Sequence, residues 1–454
     1  MTVVSGVFAA VDLGASGGRV MAGSVADDGG IRLELVHRFA NSMAERDGHL
    51  RWDFSALFEE VRAGLARVPD AVSIGIDTWG VDYGLLDADG ALLAEPIAYR
   101  DDRTTKVVDE VHAAVPVDEL QAINGLQVLP MNTIYQLCAE RHGPLWDRAA
   151  RAVLLPDLVA YWLTGELGTE LTDASTTGLL DARTQGWATE LFDRLGIPSD
   201  LLPPLQSPGE HRGVTPGGTP VTTVGSHDTA SAVVGVPATA DRFAYVSSGT
   251  WSLVGLELPA PVLTPEARAA NFTNEIGVDG RTRFLRNVGG LWLLQECLRT
   301  WQRDDLGALL AAAADLGPGG PRIDVDDPTL VPPGDMPARI QAAAAAGPLT
   351  EPQIVRCVVE SLAAAFARTV EGAAALAGHG VDVIHVVGGG SQNELLCQLT
   401  ADAAGVPIVA GPVEATALGN VAIQARSRGA APASLEAIRA AIAVTEPLRT
   451  YLPS

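Results

Sequence analysis

Several short segments gather residues able to do chemistry. Residues Phe8 to Gly23 read FAAVDLGASGGRVMAG: an apolar run ends on Asp12, crosses glycine and serine, meets Arg19 and turns apolar again. A turn offering several backbone N–H groups can cradle an anion, and Arg19 would add a phosphate contact. A carboxylate beside a phosphate is repelled unless a cation lies between them, so Asp12 points to magnesium held through water. The plainer reading of Gly14 to Gly18 is a hairpin turn with a hydrogen-bonded aspartate. These residues alone leave both open.

Val224 to Gly235, VGSHDTASAVVG, sets Ser226, His227 and Asp228 ahead of a helix-like run. Ser226 or Asp228 can serve as an N-cap. Asp228 can equally be a general base whose ionised form the helix dipole favours, and His227 can be a core histidine. Gly75 to Tyr83, GIDTWGVDY, offers two aspartates and a tryptophan after a buried strand, and Ala98 to Thr105, AYRDDRTT, offers arginines. These suit either a sugar pocket, or a tryptophan in the core with surface charges around it. Gly388-Gly389-Gly390 falls where a strand meets a helix, the usual ligand edge of an α/β sheet.

Composition narrows the classes. The 454 residues carry a formal net charge of −24, with no basic stripe to neutralise nucleic-acid phosphates. The only lysine is Lys106, outside any glycine run, so the phosphate loop ending in lysine is absent and Schiff-base chemistry is disfavoured. Any phosphate must be held by backbone N–H groups, hydroxyls, arginine or a metal. Cys138, Cys297, Cys357 and Cys397 are widely spaced and read as free thiols of a reducing cytosol. No zinc pattern occurs. The start lacks the look of a signal peptide, and no run of about 18 apolar residues suggests a membrane span. A cytoplasmic protein is expected.

The elements that position these groups follow from periodicity. GVFAAVDLG and RVMAGSVAD read as a hairpin, and IRLELVHRF as a third strand with Leu33, Leu35 and Phe39 on one face. DFSALFEEVRAGLARV reads as a helix capped by Asp53 or Ser55, with Leu57, Phe58, Val61 and Leu65 lining one side. AVSIGIDTWG is a buried strand ending at Asp77, and residues 203–220, rich in Pro and Gly, are expected to be loop. Arg242 to Leu258 repeats the opening design of strand, small polar turn and strand. Glu351 to Gly378 is a long alanine-rich helix, and a strand, the glycine turn, a helix and a strand follow it. Two hairpins of one design, each opening a domain-sized segment, point to a duplicated α/β fold.

In order, VDLGASGGR, GIDTWGVD, YRDDRT, LLPDLVAYWLTG, TDASTTGLLD, SHDTASAV, SSGTWSLVG, NVGGLWLLQ and VVGGGSQNELLCQLTADAAGVPIVAGPVEATALGN resemble the FGGY carbohydrate kinases, over nearly the whole chain. The resemblance implies two ribonuclease-H-like domains of the actin, hexokinase and heat-shock chaperone ATPase type around a central cleft, residues 1–238 and 239–454. It implies transfer of the γ-phosphoryl group of ATP, with Mg2+, to a small-molecule ketose. The 1-hydroxyl of L-rhamnulose is the first choice of acceptor, and L-fuculose or another ketose the alternative. A non-kinase ATPase or sugar sensor of the same fold is the alternative from another class.

By the same carry-over Ala15, Ser16, Gly17, Gly18, Arg19, Thr250, Gln295, Gly388, Gly389 and Gly390 would border ATP. Asp12 would face the metal through water. Gly80, His227, Asp228, Thr229 and Asn287 would line the sugar, with Asp228 the catalytic base. The family's W-x-D sugar motif stands here as Tyr99-Arg100-Asp101, and its Gly-Ala-Ala as Gly419-Asn420-Val421. No nucleic-acid or membrane partner is expected, and a monomer or small homo-oligomer is.

Overall fold

The computed structural model describes residues 6–26 and 29–454. Residues 1–5, where the reading against a signal peptide begins, and 27–28, where the expected second strand ends, lie outside the described residues. The chain divides into two units: Met1–Thr239, Glu257–Phe284 and Ala415–Thr445 form one, and Ala240–Leu256, Leu285–Glu414 and Glu446–Ser454 the other.

In the first unit β1 (Val7–Gly14), β2 (Gly17–Val25), β3 (Ile31–Ala40), β4 (Ala71–Thr78), β5 (His211–Val214) and β6 (Pro220–Thr222) form one sheet in the order β5-β6-β4-β1-β2-β3. The hairpin β1–β2 is antiparallel and β4 runs parallel to β1, with Asp12 beside Asp77. Ala9, Val11 and Leu13 belong to one buried cluster, and Phe8 and Ala10 to another. A strand covered on both faces reads as a continuous apolar run, which is how β1 reads.

The second sheet is built from β7 (Phe243–Ser248), β8 (Trp251–Leu258), β9 (Thr273–Ile276), β10 (Thr282–Gly289), β11 (Val383–Val387), β12 (Ile408–Ala410) and β13 (Arg449–Tyr451), in the order β9-β10-β8-β7-β11-β12-β13. Its hairpin β7–β8 is antiparallel and β11 lies parallel on the far side of β7. Spatially β10-β8-β7-β11-β12 repeats β3-β2-β1-β4-β6, so the duplicated α/β design is present in the strand order itself.

Local details depart from expectation. Leu35 is 46% exposed. The β2–β3 register slips between Val20, opposite His37, and Met21, opposite Leu35. Val36 is the extra residue, and such a bulge re-aims the side chains around it. Helix α1 (Phe54–Leu65) begins after Asp53 as expected, but neither Asp53 nor Ser55 caps it. Glu95 does so instead, its Oε2 accepting from the amides of Phe54 (2.9 Å) and Ser55 (3.1 Å). The stretch 203–220 is not all loop: it contains Leu205–Gln206 and β5 and reaches the start of β6.

The remaining helices needed below are α2 (Leu171–Ala174), α3 (Asp228–Val234), α4 (Glu351–Ala377), α5 (Glu394–Ala404) and α6 (Ala415–Ser427). Helices α3 and α6 approach so closely that a Cβ on Gly419 would strike the carbonyl oxygen of Ser231. Backbone cannot yield as a flexible side chain can. Gly419→Ala is therefore expected to destabilise the protein by about 2 to 3 kcal/mol, the upper range for overpacking. Denaturant unfolding reads this directly, and a midpoint equal to wild type would refute the close-contact account.

Candidate active site

The site in the first unit starts from two carboxylates at the ends of neighbouring parallel strands. Asp12 stands opposite Asp77 across β1–β4 and opposite Arg19 across the hairpin. Arg19 donates Nε (2.9 Å) and Nη2 (2.7 Å) to one oxygen, Oδ2 of Asp12. The turn between them is tight: Gly14 pairs with Gly17 and leaves Ala15 and Ser16 as the loop, while Asn41 Nδ2 donates to the Gly14 carbonyl (3.1 Å).

Asp77 is fully buried. Its Oδ2 accepts from Asn420 Nδ2 of α6 at 2.5 Å, and its Oδ1 has no partner. Burial, then the neighbouring Asp12, pushes its carboxyl well above the ordinary value, against the opposing pull of Asn420. Gln424 holds Asn420 in turn, donating Nε2 to its Oδ1 (2.7 Å) and to the Ala9 carbonyl (3.1 Å). Among the described residues no cluster of three or more His, Cys, Asp or Glu side chains could cage a metal. Two adjacent carboxylates with one oxygen unpartnered suit a magnesium ion that keeps most of its water.

The Asp228 segment lies at the same strand ends. Thr78 N donates to the Ser226 carbonyl (2.8 Å). The N-cap of α3 is His227, without a side-chain cap bond, and Asp228 is the first helical residue. Neither Ser226 nor Asp228 caps the helix. A buried bracket fixes the loop instead. Glu170 Oε2 accepts from the amides of Ser226 (3.1 Å), Thr172 (2.9 Å) and Asp173 (3.1 Å) and from Thr172 Oγ1 (2.6 Å). Thr172 Oγ1 in turn accepts from the His227 amide (3.2 Å).

Burial raises the Glu170 carboxyl to about 7, although its donors pull it down. A carboxyl that binds its proton more tightly when folded (about 7) than unfolded (4.5) contributes stability below 4.5 and loses it as pH rises through 7. Glu170→Gln keeps an acceptor oxygen and has no proton to lose. Its melting temperature should therefore fall less than that of wild type between pH 5 and 8, and parallel melting curves would contradict this.

Asp228 itself keeps 32% of its side-chain surface open. Thr229 Oγ1 donates to its Oδ1 (3.1 Å) and His227 Nε2 lies 3.6 Å from that same oxygen. Burial raises the Asp228 carboxyl above its ordinary value; His227 opposes the shift and Asp12 adds to it.

Trp79 is a core residue. Its ring packs on that of Trp52 at 4.4 Å, and both indole N–H groups donate to Asp82 Oδ2, at 3.0 Å and 2.7 Å. Gly80 approaches Thr176 closely enough that a Cβ would lie 2.9 Å from its side chain. The next residue, Val81, has φ +70°, a strained setting for a β-branched residue. It is held there by Thr176 Oγ1 on its N–H (3.1 Å) and by Thr133 Oγ1 (2.7 Å) and Gln136 Nε2 (3.2 Å) on its carbonyl. Arg103 is buried and donates to Gln136 Oε1 (2.7 Å), so it is no surface charge. Asp101 accepts from the amides of Leu50 (2.8 Å) and Arg103 (3.0 Å).

In the second unit the turn after β7 carries Thr250. Its carbonyl accepts from Trp292 N (3.2 Å) and that of Gly249 from Leu291 N (2.9 Å), which docks the turn on the helix Trp292–Trp301 bearing exposed Gln295. Half-buried Asn287 lies on β10. Gly388 adopts φ 81°, ψ −167°, and a Cβ there would stand 2.9 Å from the Ser248 carbonyl oxygen. The Thr250 turn and the Gly388–Gly390 turn thus share one end of the sheet, next to buried Ser248 and Ser252 hydroxyls that have no partner.

The structure places Asp12, Ala15–Arg19, Gly80 and His227–Thr229 in the first unit, and Thr250, Asn287, Gln295 and Gly388–Gly390 in the second. Glu170, Glu275 and Arg283 were not singled out for the site by the sequence; Asp77 was offered as one of two aspartates of a sugar pocket, and Asn420 only as a departure from the family's motif. Glu275 and Arg283 stand in short strands, TNEI and TRFLRNVG, that carry other polar residues, so nothing in the sequence marked them out.

The chain matches the model of the FGGY family of carbohydrate kinases, N-terminal domain, over residues 7–235, and that of its C-terminal domain over 244–428. It is 42% identical to a rhamnulokinase of Bacteroides thetaiotaomicron, covering 98% of this chain and 96% of that protein. It is 44% identical to one of Klebsiella pneumoniae subsp. pneumoniae, over 91% and 88%. The fold is similar to that of gluconate kinase from Lactobacillus acidophilus, with a TM-score of 0.79, 17% identity, and 99% and 94% of the two chains covered. A Plasmodium falciparum glycerol kinase with ADP gives a TM-score of 0.76 at 17% identity, over 98% and 94%.

Proposed function

This chain belongs to the FGGY family of carbohydrate kinases, and from that premise we propose that it phosphorylates the 1-hydroxyl of L-rhamnulose with ATP. The sugar rests on the name its full-length relatives carry. The chemistry rests on one observation: Asp228 keeps 32% of its side-chain surface open, with Thr229 Oγ1 and His227 Nε2 both at its Oδ1. We assign Oδ2 to the incoming hydroxyl.

In the proposed step the ketose O1–H gives its proton to Asp228 Oδ2 while O1 bonds to the γ-phosphorus. The bond from that phosphorus to the bridging oxygen breaks and its electron pair leaves with ADP. Such transfers have loose transition states, so placement and charge neutralisation supply most of the acceleration. Backbone N–H groups are assigned the role a phosphate-loop lysine plays elsewhere: those of Ala15 and Ser16 in the first unit, and those of Gly389 and Gly390 with Thr250 in the second. A magnesium ion held through water at Asp12 would neutralise phosphate charge. Arg19, already paired with Asp12, keeps that carboxylate oriented. Gly80, His227, Thr229 and Asn287 are assigned to the sugar, and Ala15–Arg19, Gln295 and the glycine turn to the nucleotide.

A cytoplasmic setting, where ATP is available, belongs to the same proposal. Among the described residues no helix is long and apolar enough to cross a membrane. Product analysis tests the reading. With L-rhamnulose, ATP and magnesium, phosphorus–proton correlation spectra should show a single ester on C1. An ester at another carbon, or release of inorganic phosphate alone, would overturn it.

A further inference from the structure

His227 does more than border the sugar. Its ring is caught between Asp228 and a buried ion pair contributed by β9 and β10. Arg283 of β10 has no exposed side-chain surface and Glu275 of β9 only 7%. Arg283 Nη1 lies 3.0 Å from Glu275 Oε2. Arg283 is also pinned by the Ile276 carbonyl, to which it donates Nε (3.2 Å) and Nη2 (3.1 Å). The same Nη2 lies 3.1 Å from His227 Nδ1, and Glu275 Oε2 lies 3.3 Å from that nitrogen. Glu275 Oε2 accepts no hydrogen bond from that nitrogen, and burial, which would raise the Glu275 carboxyl, is outweighed by the adjacent Arg283 guanidinium, so the carboxyl is held below its usual value.

A guanidinium has donors only. When Arg283 donates to Nδ1, that nitrogen must present its lone pair, and the ring proton sits on Nε2. Nε2 is the nitrogen that faces Asp228 Oδ1, at 3.6 Å. Ionised Glu275 balances the guanidinium charge, without which a buried arginine would be costly.

We propose that Glu275 and Arg283 are positioning residues which fix His227 in its Nε2–H tautomer, so that an N–H rather than a lone pair faces Oδ1 of Asp228 and helps leave Oδ2 to the acceptor hydroxyl. The inference rests on the assignment of Asp228 as the base. It gives Glu275 of β9 and Arg283 of β10 a part in the reaction although neither side chain touches the substrate in this account. The other charged groups acting on Asp228 are Asp12, Asp77 and Asp173, all acidic. Beside the Thr229 hydroxyl, which donates to Oδ1 at 3.1 Å, the imidazole N–H is the other polar hydrogen that faces this carboxylate.

The test is a histidine-selective nitrogen NMR spectrum of the intact protein between pH 7 and 8, the His227 ring being assigned among the eight histidines by its loss in His227→Asn. The expected result is a protonated Nε2 and a bare Nδ1. The charge-neutral double variant Glu275→Gln/Arg283→Met should give mixed tautomers and a kcat lower by about 10-fold, the cost of a modest misplacement of a reacting group. KM for the ketose should stay near wild type. An Nδ1–H tautomer or an imidazolium in the wild-type protein overturns the proposal, and this spectrum decides even if the double variant does not fold. A folded double variant with wild-type kcat overturns it too. Full activity of Asp228→Asn would instead remove the base assignment beneath it, a failure the tautomer spectrum does not mimic.

Discussion

Replacing Asp228 by asparagine lowers kcat by about 10²-fold or more in this account, the usual contribution of a positioned base. Asparagine preserves size and can still meet Thr229 and His227, so ketose binding should persist. What disappears is an oxygen able to accept the proton of O1. The pH profile gives a second reading. A base works only when ionised, and burial has moved the Asp228 carboxyl above the ordinary aspartate value of 3.8. Wild-type kcat/KM should therefore fall as pH drops through a value higher than that of a free aspartate, and Asp228→Asn should lose that limb. A folded Asp228→Asn variant with near-normal kcat would end the assignment.

The second large effect is expected at the glycine turn of the second sheet. Gly388 combines positive φ with extended ψ, a region open essentially to glycine alone. Alanine there must also place its Cβ against the Ser248 carbonyl. Forcing the turn open costs about 1 to 3 kcal/mol, and each 1.4 kcal/mol is tenfold in affinity. Because this turn is assigned to the nucleotide, Gly388→Ala should raise KM for ATP about 10-fold or more. At saturating ATP the step at Asp228 should be much less affected. An unchanged KM for ATP in a folded variant would show that the turn serves packing alone.

What the sequence made legible was local. The hairpins around Asp12 and Thr250 are written in contiguous residues, as are the long helix α4 and the strand–glycine–helix passage from β11 to α5, because their hydrogen bonds close over short distances. The motifs that carry the family resemblance are contiguous in the same way. What stayed hidden depends on contacts made only after folding. Glu95 caps α1 from forty residues downstream. A bulge of one residue turned Leu35 outward. Glu170 reaches Ser226 across 56 positions, and Arg283 reaches His227 across the same separation.

Asn420 shows the difference most clearly. It was visible as a departure from the family's Gly-Ala-Ala, yet its use became apparent only with its amide on Asp77, 343 residues away. Gly419 beside it has a different reason, the close passage of α6 against the helix that starts at Asp228. One dipeptide therefore serves both carboxylate and base.

The most direct test of the central claim is ADP release with ATP and magnesium against L-rhamnulose, L-fuculose, L-xylulose, D-xylulose and glycerol. The account predicts the highest kcat/KM with L-rhamnulose. Cross-reaction with L-fuculose should be measurable, because the two ketoses differ at one hydroxyl-bearing carbon and the C6 methyl, a single apolar group, is worth only about 1 to 3 kcal/mol of discrimination. Folded protein with no sugar-stimulated turnover on any of them would contradict the account.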